Sequence, residues 1–272
     1  MTRVRSLPQR LVGMVEQLEL DQPRVVTMTE LARIAVATGA CDSAAGAAKL
    51  AYWLQDLGWL GSLRTKGVWE FNPGSRAGAF GSGDRFIEFR AQQAAHPDWP
   101  GVLAMESAAS LLGLAQHIPG YEVVAIPRGF PVPKALSDWR SVTINLPPVG
   151  LTISDDLPNW NLDGLLAGIA IRPSGYQDLA GLAQWLPDVG PQLHAEIMRA
   201  CLQDAPVSAW QRAAYLARIA GATSVANHLL TAHPPVAAAW FGGTHTAGAR
   251  YDPVTQVSDS SLAPYLEGGI GA

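Results

Sequence analysis

Residues 55–71 read QDLGWLGSLRTKGVWEF, two short apolar and aromatic runs around Arg64-Thr65-Lys66-Gly67. A glycine that tolerates positive φ between such runs marks a hairpin, with strands expected over 59–63 and 68–71. Hairpin tips are often charged because they are solvated. What precedes this one decides whether its two cations have a task.

Three helices are expected upstream. In the first, Leu7, Leu11, Met14, Val15 and Leu18 recur at helical spacing, with Ser6 as cap and Pro8 in the first turn. A short β-branched run over 24–26 follows. Thr27 and Glu30 then form a capping box for a second helix with Met28, Leu31, Ala32 and Ala35 on one face and Gly39 at its end. Asp42 or Ser43 caps a third, whose buried stripe is Ala47, Leu50, Ala51, Leu54 and Leu57 and whose stop is Gly58.

Helix, short strand, helix, helix, hairpin is the order of a winged helix-turn-helix. In that arrangement the third helix lies in the major groove and the hairpin, or wing, reaches adjacent backbone or minor groove. Arg64, Thr65 and Lys66 are therefore expected to face duplex DNA from the wing. On the third helix Ser43, Gly46, Lys49 and Trp53 fall opposite the buried stripe, with Tyr52 at its margin. Ser43, Lys49 and Tyr52 are the expected major-groove contacts, and the small Ala45 and Gly46 allow close approach. Trp53 reads as a packing residue, and Arg3, Arg5 and Arg10 as a basic arm. One lysine and no arginine or asparagine make this helix a poor base reader. Recognition is thus expected to lean on the wing, the arm and DNA shape.

The wider composition bounds the rest. At 272 residues, 48% of them apolar and nine of them Trp, the chain has material for a globular core. It has no run of about 18 apolar residues and no signal-peptide core near its start, which gives the expectation of a cytoplasmic protein without membrane segments. Cys41 and Cys201 are expected to be buried thiols in a reducing compartment. The net charge of −4 divides unevenly: residues 1–76 hold nine Lys or Arg against seven Asp or Glu, and the remainder ten against sixteen. The first part is mildly basic and the second acidic, which is consistent with different partners.

A glycine-rich stretch, NPGSRAGAFGSG over 72–83, gives the domain division: 1–76 for the winged helix, 77–84 for a linker, 85–272 for a larger mixed domain. In the latter, helices are expected over 84–96 and 105–116, strands over 121–129 and 141–148, then helices over 162–173, 178–188, 191–202, 208–221 and 224–232. The fold class is α+β, with strands first and helices after, and the tail beyond Gly242 loosely held in part. No catalytic, metal-binding or nucleotide-binding motif is present, so no enzyme activity and no cofactor are expected. His245, near Asp252, is the remaining oddity. His228 and His233 are misaligned on a helix, and the doublet Asp155-Asp156 reads as a solvated loop.

Several segments together are similar to the AbiEi family of bacterial antitoxins, particularly its actinobacterial branch. They are VVTMTELARI, LQDLGWL, LRTKGVWEF, LLAGIAIRPSGYQDLAGLAQWL and SAWQRAAYLARIAG. The resemblance implies a cytoplasmic antitoxin of a type IV toxin-antitoxin pair. Its winged helix represses its own operon at inverted repeats in double-stranded DNA, and its C-terminal domain counters a nucleotidyltransferase toxin. Three other readings stay open: a winged helix used as a protein-interaction module, supported by the acidic second part and Trp53, a general transcriptional regulator without a toxin partner, and, more remotely, an enzyme built on His245.

Overall fold

The computed structural model describes residues 7–76, 82–115, 117–243 and 249–267. Its fold is mixed α and β, in two compact units: Met1–Trp99 with Val132–Ser137, and Pro100–Pro131 with Asp138–Ala272.

The first unit begins with α1 (Gln9–Asp21), which buries Leu11, Met14, Val15 and Leu18. Next come β1 (Val25–Thr27) and α2 (Met28–Ala37). Thr27 caps α2 as its sequence predicts, its hydroxyl accepting from the Glu30 N–H at 3.2 Å. Ile34 is buried with Leu31 and Ala35, while Met28 and Ala32 are only half-buried, so the inward face is rotated from the expected one. Gly39, at φ +69°, turns the chain toward α3 (Ala44–Asp56). Then β2 (Leu60–Ser62) and β3 (Val68–Phe71) form the hairpin, and β3 also pairs antiparallel with β1, giving the order β1-β3-β2.

The unit continues past the glycine-rich stretch. The helix α4 (Ile87–Ala95) packs on β1 and β3 and buries Phe89 and Arg90. Asp84 fixes its start, taking Arg90 Nε at 2.8 Å and Arg24 Nη1 at 3.3 Å. The Gly74 N–H donates to Glu19 and the Ser82 N–H to Glu70, both at 2.5 Å. Composition places a linker at 77–84, yet the change of unit falls at Trp99, because carboxylates fasten the chain on either side of 77–81 and α4 completes the first core.

In the second unit, β4 (Val102–Leu103), β5 (Val123–Ala125), β6 (Arg140–Val142), β7 (Leu151–Ser154) and β8 (Leu157–Trp160) form a mixed sheet in the order β6-β5-β4-β8-β7. The β5–β6 and β4–β8 pairs are parallel and the other two antiparallel. Asp155 and Asp156 both take positive φ, 52° and 58°, and make the tight β7–β8 turn. The helix α5 (Met105–Leu111) follows β4, and α6 (Leu162–Ile171) follows β8. Apolar nearly all round, α6 is buried from Asp163 to Ala170. Trp160 lies against Gly168 so closely that a Cβ there would sit 2.3 Å from the indole.

The helices α8 (Ala195–Leu202) and α9 (Val207–Ile219) pack on α6, α10 (Thr223–Ala232) packs on α8 and α9, and α7 (Leu179–Trp185) precedes them in the chain. A second sheet, β9 (Ala239–Phe241), β10 (Arg250–Asp252) and β11 (Val257–Asp259), has the order β10-β11-β9. Strands therefore also follow the helices, and the chain after Gly242 is not loose over 250–262: Val257 and Asp259 are buried, and Asp259 accepts from Tyr215 OH at 2.8 Å. Strands of three residues leave little periodicity to read.

Candidate nucleic-acid interface

The helix α3 turns one face outward. Ala47, Leu50, Ala51 and Leu54 are buried as expected, while Ala45, Ala48, Lys49, Tyr52 and Asp56 form the exposed stripe. Tyr52, 72% exposed, stands in the middle of that stripe rather than at its margin. Gly46 is half-buried, and a Cβ there would lie 3.0 Å from the Cys41 Cβ. Its smallness serves the α2–α3 turn, so close approach from outside falls to Ala45 and Ala48. Ser43 occupies the N-cap position but its hydroxyl makes no capping bond, leaving an exposed donor and acceptor at the helix start.

Trp53 is half-buried in the first unit's own core. The Arg10 guanidinium, from the first turn of α1, lies 3.7 Å from its ring centroid, and Lys49 Nζ lies 5.4 Å from it. Lys49 and Trp53 are four apart on one helix, a spacing open to sequence reasoning. That Arg10 should meet them is not, since it depends on how α1 crosses α3.

The hairpin tip divides its residues. Lys66 is exposed and has no hydrogen-bond or ion-pair partner among the described residues. Arg64 is exposed but engaged: its N–H donates to the Glu88 carboxylate at 3.0 Å and its guanidinium to the Ala135 carbonyl at 3.3 Å. Thr65 is buried at 6% exposure, which removes it as a surface contact. Expecting all three to point outward fails because α4 and the 132–137 segment pack beneath the tip. Gln55 ties helix to hairpin, its amide donating to Ser62 Oγ at 2.6 Å and its carbonyl oxygen accepting from Trp69 Nε1 at 3.3 Å. Sequence reasoning did not single it out. Arg3, Arg5 and His245 lie outside the described residues.

In the second unit the recognisable segments are fastenings. On α9, Gln211 donates to the Ala237 and Thr255 carbonyls, Arg212 to those of Ala170 and Trp240, and Tyr215 to Asp259. Burial lowers the Arg212 guanidinium from its ordinary value and raises the Tyr215 phenol. In the 172–178 segment, the Gly175 carbonyl accepts from Arg140, the Gln177 N–H donates to buried Glu106, and Asp178 caps α7. Cys201 is buried beside Gly150, its thiol pushed up to about 12 by burial. Cys41 is half-exposed, unlike its expected burial. Among the described residues no three His, Cys, Asp or Glu side chains are grouped to hold a metal, and no helix is long and apolar enough to cross a membrane.

A crystal structure titled RV2827C protein from Mycobacterium tuberculosis has this fold. It matches with a TM-score of 0.80 and 27% sequence identity, over 97% of this chain and 96% of that one. No family model matches the chain, and neither does any curated protein.

Proposed function

We propose that the first unit is a winged helix-turn-helix that binds duplex DNA. On this reading α3 enters the major groove through Ser43, Lys49 and Tyr52, and the β2–β3 hairpin serves as a wing led by Lys66. The observation that carries it is the exposed stripe of α3, small residues flanking Lys49 and Tyr52, joined by Gln55 to a hairpin whose tip lysine has no partner among the described residues. Together with the resemblance of the segments quoted above, this supports a cytoplasmic antitoxin that represses its own promoter and counters a nucleotidyltransferase toxin.

Binding of the upstream promoter duplex, followed by anisotropy across a salt series, tests the DNA reading. Each phosphate contact contributes about −0.9 to the slope of log K against log salt, so Lys66→Ala lowers the slope by about that amount. Arg64→Ala lowers it by less, since that guanidinium is already shared with the Ala135 carbonyl. An unchanged slope in the double variant would sink the wing. Growth rescue on co-expression with a neighbouring nucleotidyltransferase-like gene tests the antitoxin reading.

A protein-interaction module is the second reading, favoured by the inward-facing Thr65 and engaged Arg64. Absence of any duplex binding at about 50 mM salt, where nonspecific association should already register, decides for it.

A further inference from the structure

Arg10 and Lys49 come from different helices yet meet one indole, at 3.7 Å and 5.4 Å from its centroid, so the two cations stand within roughly 9 Å of each other. Both are exposed, and neither has a carboxylate partner among the described residues. Two like charges gathered on an aromatic surface without a counter-charge are arranged for an anion that comes from outside. Trp53 itself is half-buried and packs against the first unit's core, and Leu50 and Leu54 on the same helix are buried. It is a fixed platform on which a flexible guanidinium is held before any ligand arrives, which reduces the ordering cost of binding.

We propose that Trp53 is a positioning residue that seats Arg10 and Lys49 as a phosphate clamp at the edge of the α3 stripe. The ligand class is the phosphodiester backbone of a duplex, with the two cations taking phosphates of one strand while Tyr52 faces the groove. The clamp supplies, from α1, the positive charge that α3 lacks along its own length. This inference rests on the DNA reading above, and goes beyond it in assigning phosphate contact to Arg10 and a role in binding to Trp53.

The test is a double-mutant cycle on the full chain with the promoter duplex, read as affinity and salt slope. Arg10→Ala and Lys49→Ala each lower the slope by about 0.9. Trp53→Leu, which keeps an apolar side chain, weakens binding about three- to tenfold with both cations still present. Trp53→Phe, which keeps a ring, recovers most of that loss. If Trp53 positions Arg10, then Arg10→Ala costs less affinity in the Trp53→Leu background than in the wild type. Thermal melts of every variant separate loss of binding from loss of fold, and Trp53→Phe carries the test if Trp53→Leu unfolds. Wild-type binding with slopes unchanged by Arg10→Ala and Lys49→Ala overturns the clamp and leaves the DNA reading standing. Additive effects overturn the positioning role of Trp53. No wild-type binding overturns the clamp together with the reading it rests on.

Discussion

Single residues in the second unit carry more of the fold than their chemistry suggests. Gly168 is needed because Trp160 fills the space where its side chain would go. Gly168→Ala forces the indole or α6 to move, and a denaturant titration should show a loss of about 1–3 kcal/mol, the usual range for overpacking. Asp163 shows a different effect. Its carboxylate, 3% exposed, accepts the His194 N–H at 2.8 Å and lies 3.0 Å from His194 Nδ1. Burial raises the Asp163 carboxyl above its ordinary value, against the opposing pull of those bonds. The folded state therefore holds this proton more tightly than the unfolded chain does. Stability from this group is full below about pH 4, the unfolded value, and is lost as pH rises through the folded one. Relative to Asp163→Asn, the wild type should lose stability from about pH 4 upward. A difference flat with pH would contradict the assignment.

Among the elements, α3 is tied to its hairpin by the side chain of Gln55 as well as by the shared core. Gln55→Ala removes the bonds to Ser62 and Trp69 and should cost about 1–2 kcal/mol of stability, as two modest hydrogen bonds do. No charge is lost, so under the proposed DNA binding the expected signature is weaker promoter binding with an unchanged salt slope, and a lowered slope would count against the role given to Gln55. These helices were legible in the sequence because their signals are local: Thr27 three residues before Glu30, Gly39 after the last buried turn, and Leu50 and Leu54 one turn apart. The turned-in hairpin tip was not, because what meets it lies far along the chain: the Arg64 guanidinium donates to the Ala135 carbonyl, 71 positions away. In the second unit's larger sheet, β5 and β6 fall in the runs expected over 121–129 and 141–148, but β4, β7 and β8 escaped for a related reason. The strand β4 has two residues and its parallel partner is β8, a pairing that no periodicity in residues 102–103 announces.

At the level of the whole molecule, the units divide where packing ends. A fragment of residues 1–76 lacks α4, uncovers β1 and β3, and should show no cooperative thermal transition. A fragment of residues 1–99 keeps Phe89 and Arg90 in place and should melt cooperatively, though below the full chain, because it lacks the buried Leu136. Equal melting of the two fragments would return the boundary to the glycine-rich stretch. The way α9 is secured has a further consequence, for synthesis. Gln211, Arg212 and Tyr215 bond to groups at Ala237, Trp240, Thr255 and Asp259, all nearer the C-terminus. The second unit therefore cannot close until Asp259 has left the ribosome. The first unit is complete once Ser137 has emerged, on the order of ten seconds sooner at ordinary translation speeds. A nascent chain thus carries its mildly basic unit in finished form while the acidic remainder is still being made.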